Sequence, residues 1–167
     1  MKRITQLLTA LVFCSLIIFV SCKKKKKPDA TEDPRDAAGQ ALAGPWVPTS
    51  VKFDDANRTE WSDFVISFAY NTDTDQGNYT VSGVPTDDGA SDVWGTANGT
   101  VNWTFDGIDE TADVGRVIRA DGTGTPMDVT VNSTESPTAL TISFTVEDPD
   151  ARVAGFYGTW SFVFELQ

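Results

Sequence analysis

From Trp46 onward, apolar and polar side chains alternate with a period of two in short runs. "DFVISFAY" puts Phe64, Ile66, Phe68 and Tyr70 on one face of an extended chain, and "TVNWTF" does the same with Val101, Trp103 and Phe105. "MDVTV" sets Met127, Val129 and Val131 against Asp128 and Thr130. "LTISFTV" alternates Leu140, Ile142, Phe144 and Val146 with Thr141, Ser143 and Thr145. "WSFVFEL" carries Trp160, Phe162, Phe164 and Leu166 in the same phase. Weaker strand signals are "WVPTSVKF", "NYTV" and "RVIRA", which brings the number of predicted strands to eight. Turn-rich separators such as "TDTDQGN", "PTDDGAS", "DGIDETADVG" and "DGTGTP" divide them, and no long helical period competes.

One-sided alternation is the mark of antiparallel pairing with one face buried and one wet. The short, regular spacing favours a meander, so the chain is read as all-β. Two architectures satisfy the pattern: an eight-stranded up-and-down barrel and an immunoglobulin-like β-sandwich. A barrel closes by pairing its first and last strands, and the last strand here is the most apolar of all. The sandwich often carries an inter-sheet disulfide, and residues 44–167 contain no cysteine. "GPWVPTSVKF" also resembles the Gly-x-Trp opening of lipocalin-like proteins, with Gly44 and Trp46 in the matching places. That resemblance implies a lipocalin-like barrel with Trp46 plugging one end and a small hydrophobic or amphipathic ligand inside. The sandwich stays as the alternative.

Ahead of the strands the pattern changes. "MKR" supplies positive charge and "ITQLLTALVFCSLIIFV" supplies an uncharged run, as in a secretory signal. A spanning helix needs about 20 apolar residues, which this run does not reach. "FVSC" resembles the lipobox of bacterial lipoproteins, although Phe19 stands where leucine is usual. The resemblance implies cleavage before Cys22 and attachment of lipid to its thiol. It places the protein in the cell envelope, anchored to the outer membrane, with the leaflet left open. The alternative is an uncleaved helix flanked by the lysines at 23–27. Residues 1–21 are then the signal peptide, 22–43 the lipidated cysteine and a disordered tether without aromatic residues, and 44–167 a single β-domain. The lysine block can lie on phosphate headgroups and reinforce the acyl chains.

Charge sharpens this division. Residues 44–167 hold one Lys, four Arg and twenty Asp or Glu, a formal balance of −15. Such a domain repels nucleic acid and anionic lipid. Histidine is absent, which removes the commonest general base and transition-metal ligand, and both cysteines, Cys14 and Cys22, lie in or at the end of the leader. No G-x-S-x-G, phosphate-binding glycine loop or metal quartet occurs. The expectation is a non-catalytic protein with no cofactor.

Three groups of residues are candidate sites. Alternation in "GRVIRADG" forces Arg116 to share a face with Ile118, or Arg119 with Val117, so one guanidinium points with apolar neighbours and could hold a ligand carboxylate; the bland alternative is pairing with a nearby acidic side chain. Trp61 and Trp94 lie outside the clear alternation and are the candidate surface platforms for glycan stacking, whereas Trp103 and Trp160 are in phase with the core. Asn71, Asp73 and Asp75 recur at every second position as in a calcium loop, but Gln76 and Ser82 occupy the places where an EF-hand requires Gly and Glu, and the same residues form ordinary turns. The expected partners are the membrane through the anchor and a small hydrophobic or amphipathic ligand; the alternative is a structural or interaction β-domain at the outer membrane that binds glycans or other envelope proteins.

Overall fold

The computed structural model describes residues 33–87, 89–109, 114–147 and 156–167. The leader, Cys22 and the lysine block lie outside the described residues. Helix α1 (Pro34–Leu42) leads directly into strand β1 (Gly44–Phe53). A two-residue strand β2 (Ala56–Asn57) and a 3-10 turn (Thr59–Trp61) precede β3 (Val65–Asn71) and β4 (Gln76–Ser82). A one-turn helix α2 (Ala90–Val93) connects to β5 (Thr100–Asp109), β6 (Val114–Arg119), β7 (Pro126–Val131), β8 (Ala139–Val146) and β9 (Gly158–Leu166).

Each long strand from β3 to β9 pairs antiparallel with its neighbour in sequence. The sheet closes because β1 meets β3 on one side and β9 on the other, in register from Trp46↔Leu166 to Phe53↔Trp160. The result is a closed, eight-stranded, lipocalin-like up-and-down barrel, with β2 as an extra strand on the end of β1. Continuous closure disposes of the sandwich alternative. Pairing the apolar β9 with β1 removes the free edge that such a strand would otherwise present.

The alternating positions face as their pattern dictates. Ile66, Phe68, Val101, Trp103, Met127, Val129, Val131, Leu140, Ile142, Phe144, Val146, Trp160, Phe162 and Phe164 are all buried in one core. Leu166 departs from its phase and is 41% exposed, because it lies at the last turn of the barrel wall.

The tether expectation needs correction at its C-terminal end. Residues 34–42 form a helix that packs against β3 and β5, so the folded part begins before Gly44. Local chemistry explains the helix: the Asp33 carboxylate accepts from the Arg35 backbone N–H at 2.9 Å, Pro34 occupies the first turn, and the alanines that follow favour helix. It buries Ala38, Gly39, Ala41 and Leu42, a face of small residues that leaves almost no apolar stripe to read.

Strand directions define two ends. The helix end carries α1, the β3–β4 and β7–β8 turns and the C-terminus of β9. The far end carries the 3-10 turn, α2 and the β6–β7 turn. At the helix end the Trp46 indole donates to the Leu42 carbonyl at 2.8 Å, tying the first strand to the C-terminus of α1.

Aromatic rings fill the barrel. Trp94 lies 4.9 Å from Phe162, 5.0 Å from Phe144 and 5.3 Å from Phe64 between ring centroids, and Trp61 lies 5.4 Å from both Trp160 and Phe162. Such pairs add about 0.5–1.5 kcal/mol each beyond simple burial. The interior is therefore a packed aromatic core made by the chain itself.

Candidate functional site

Of the candidate residues, Arg119 has the most constrained surroundings. It occupies the last position of β6, in phase with the buried Val117, and its side chain is 1% exposed. A buried guanidinium requires partners for its charge and its N–H groups. Its Nε stands 3.2 Å from Oδ2 of Asp121. Nη1 donates to the Val93 carbonyl at 2.7 Å, and Nη2 donates to the hydroxyls of Thr125 at 2.9 Å and Thr123 at 3.3 Å. The Phe144 ring lies 5.7 Å from the guanidinium carbon.

The Asp121 carboxylate is held as firmly. Oδ1 accepts from the Thr123 backbone N–H at 2.9 Å and from the Thr123 hydroxyl at 2.5 Å. Burial pushes its pKa up, but the Thr123 hydrogen bonds and the Arg119 charge outweigh burial and hold it below its ordinary value. Gly95, at φ +72°, brings its backbone so close to this carboxylate that a side chain there would strike it. Beside the network the buried Tyr79 hydroxyl donates to the Trp94 carbonyl at 2.8 Å, and burial raises its pKa. The network locks the β6–β7 turn onto α2.

Outside this network lies a hollow of about 990 Å³, lined by the β6–β7 turn and the far-end halves of β7, β8 and β9. Phe144, Val146 and Pro126 supply apolar surface; Thr123, Thr125, Thr145, Thr159 and Tyr157 supply hydroxyls. Four carboxylates (Asp92, Asp121, Asp128 and Glu147) face two guanidiniums, those of Arg116 and Arg119. Several of these charges are already engaged: Arg116 Nε donates to Asp128 Oδ1 at 2.9 Å across the β6–β7 ladder, and the Tyr157 hydroxyl donates to Asp92 Oδ2 at 3.3 Å. The groove is amphipathic, with a net negative lining.

The other candidates fare differently. Arg116 is exposed on the outer face with Ile118 and contributes to the groove wall, so the two arginines point to opposite sides of the sheet. Trp61 and Trp94 are fully buried and are not surface platforms. They belong to the 3-10 turn and to the end of α2, which fold over the far end of the barrel and insert their rings, so strand alternation carried no information about them. Asn71 ends β3, and Asp73 and Asp75 lie in the β3–β4 turn, each engaged locally. Asn71 Oδ1 accepts from the Asp73 backbone N–H at 2.9 Å, while Asp75 accepts from the Tyr70 hydroxyl at 3.3 Å and lies 3.6 Å from Arg35. Among the described residues, no group of three or more His, Cys, Asp or Glu side chains is placed to hold a metal ion.

Sequence reasoning missed Asp121, Thr123 and Thr125, which it read as an ordinary separator. The available signal was the alternation of Asp121, Thr123 and Thr125 directly after an inward-facing arginine. No protein-family model, curated protein or solved structure matches this chain. The fold alone therefore places it, as an eight-stranded up-and-down barrel with a solid aromatic core and a rim groove.

Proposed function

We propose that the protein is a lipid-anchored, non-catalytic binding module of the cell envelope, held in the outer membrane through Cys22, and that it takes a small amphipathic ligand in the rim groove rather than inside the barrel. The observation that carries this reading is the contrast between an interior filled by its own rings and a rim hollow of about 990 Å³, a volume at the upper end for small-molecule sites. The groove offers a ligand hydroxyls at Thr145 and Thr159, beside the core residues Phe144 and Val146 that back its wall. Its negative lining discriminates against anionic ligands.

The way most of the groove's charges are used supports binding over catalysis in this reading. Asp121 and Asp128 are paired with arginines, Asp92 accepts from Tyr157, and the chain has no histidine to serve as a general base.

Native mass spectrometry of the protein purified from a mild-detergent extract of its own envelope tests the reading. The wild type should carry a non-covalent adduct, and Thr145→Trp, which fills the groove from an exposed position, should lose it while unfolding at the same denaturant concentration. Absence of an adduct on the wild type, or its persistence on Thr145→Trp, contradicts the proposal.

A further inference from the structure

The charges of the rim groove are sorted by position. On the β6–β7 side each carboxylate has its own arginine: Arg119 stands 3.2 Å from Asp121, and Arg116 donates to Asp128 at 2.9 Å. Both guanidiniums are thereby committed to carboxylates of the protein itself. The other side differs. Asp92 of α2 and Glu147, which follows β8 directly, also line the groove, and among the described residues no Lys or Arg lies within ion-pair distance of either.

Strand register brings these two carboxylates to one tyrosine. Val146 of β8 pairs with Gly158 of β9, so Glu147 and Tyr157 are the next residues beyond that last rung, on neighbouring chains. The Tyr157 hydroxyl in turn donates to Asp92 Oδ2 at 3.3 Å, which orients the carboxylate without cancelling its charge. One rung back, the exposed Thr145 and Thr159 stand opposite each other, their hydroxyls 3.3 Å apart. This end of the groove therefore combines two carboxylates without a counter-charge, an aromatic ring and hydroxyl oxygens with lone pairs to offer. Each of these attracts an organic cation, the ring through its π face. An anionic head group would meet two uncompensated like charges and no uncommitted arginine.

We infer that the groove selects an amphiphile with an ammonium head group, seated among Asp92, Tyr157 and Glu147; this rests on the rim groove as the binding site. A carboxylate in contact with an ammonium is worth about fivefold in affinity even at the dielectric constant of water, and two together about 25-fold. The field of the whole domain acts in the same direction, since residues 44–167 carry a formal balance of −15 and draw cations towards the surface.

Ligand-detected NMR titration of the mature lipoprotein in a nonionic detergent tests this with three probes that share one body and differ in head group: phenethylammonium, phenethyl alcohol and hydrocinnamate. Phenethylammonium should bind at least about tenfold more tightly than the alcohol, and hydrocinnamate should not bind. Asp92→Asn and Glu147→Gln, both at exposed positions, should each weaken the ammonium about fivefold and leave the alcohol unchanged. The preference should largely vanish at 1 M salt, where the screening length falls to about 3 Å. If the alcohol binds as tightly as the ammonium and both are lost on Thr145→Trp, the cation preference is overturned while the groove stands. Ammonium binding that persists on Thr145→Trp, or that ignores both carboxylate variants, overturns the inference. Failure of all three probes to bind overturns it too, and the native-mass adduct then decides the groove by itself.

Discussion

Gly39 of α1 lies against the ring of Tyr70 on β3, so near that a Cβ on the glycine would overlap the ring carbons. The contact lets α1 pack closely on β3, with Tyr70 stacked in turn on Trp103 at 5.8 Å. In a free helix, Gly→Ala gains about 1 kcal/mol from propensity. Here Gly39→Ala is expected to lose stability instead, because forcing a methyl group into a packed contact costs about 1–3 kcal/mol. Urea denaturation of the variant checks the sign. A gain in stability would mean that α1 is not docked.

Trp94 is the clearest case of an aromatic that is structural rather than binding. With three rings within about 5 Å and no exposed surface, Trp94→Ala should cost about 3–5 kcal/mol in denaturant unfolding. A loss below about 1 kcal/mol, the ordinary effect of a surface substitution, would contradict its burial.

The Arg119–Asp121 pair should behave as a coupled unit. Removing one partner leaves a charge stranded beneath the turn, so Arg119→Met or Asp121→Asn alone should each cost about 3–5 kcal/mol at neutral pH. The double variant should recover a large part of that loss, because no unpaired ion remains. A double-mutant cycle with additive effects would show that the two side chains do not interact.

The pH dependence of stability has a defined sign at both extremes. Asp121 titrates lower in the folded protein than its ordinary value of 3.8, so its contribution is complete above that value and is lost as pH falls through the lower, folded one. Tyr70 moves the other way: burial first, and then the neighbouring Asp75 carboxylate, push its phenol up to about 12. Its contribution is complete below pH 10 and is lost as pH rises from 10 towards 12. Asp121→Asn should flatten the acid limb of a denaturation series, and Tyr70→Phe the alkaline limb. An unchanged limb would exclude the corresponding group.

Much of the barrel was legible because strands announce themselves by phase. Leu140, Ile142, Phe144 and Val146 could face only one way in a half-wet sheet, and closure followed from the apolar final strand. Phase also limited the arginines to two arrangements, and only the burial of Arg119 against the exposure of Arg116 shows which side each takes. Three features escaped. Helix α1 buries two alanines and a glycine with a single leucine, Leu42, at its end, which leaves no hydrophobic stripe to read. Trp61 and Trp94 lie in single helical turns, too short for any period to appear. The groove joins the 121–125 turn to residues 143–147 and 157–159, and such a meeting depends on barrel closure rather than on any local signal.

Metabolic labelling tests the proposed anchor at Cys22 most directly. Cells expressing the full chain are given a labelled fatty acid, and the protein is recovered and its intact mass measured. With lipid on Cys22, the wild type should be labelled and Cys22→Ser should not, and the mature chain should start at residue 22 with a covalent lipid. Label that persists on Cys22→Ser, or a mature mass that still includes residues 1–21, would contradict it.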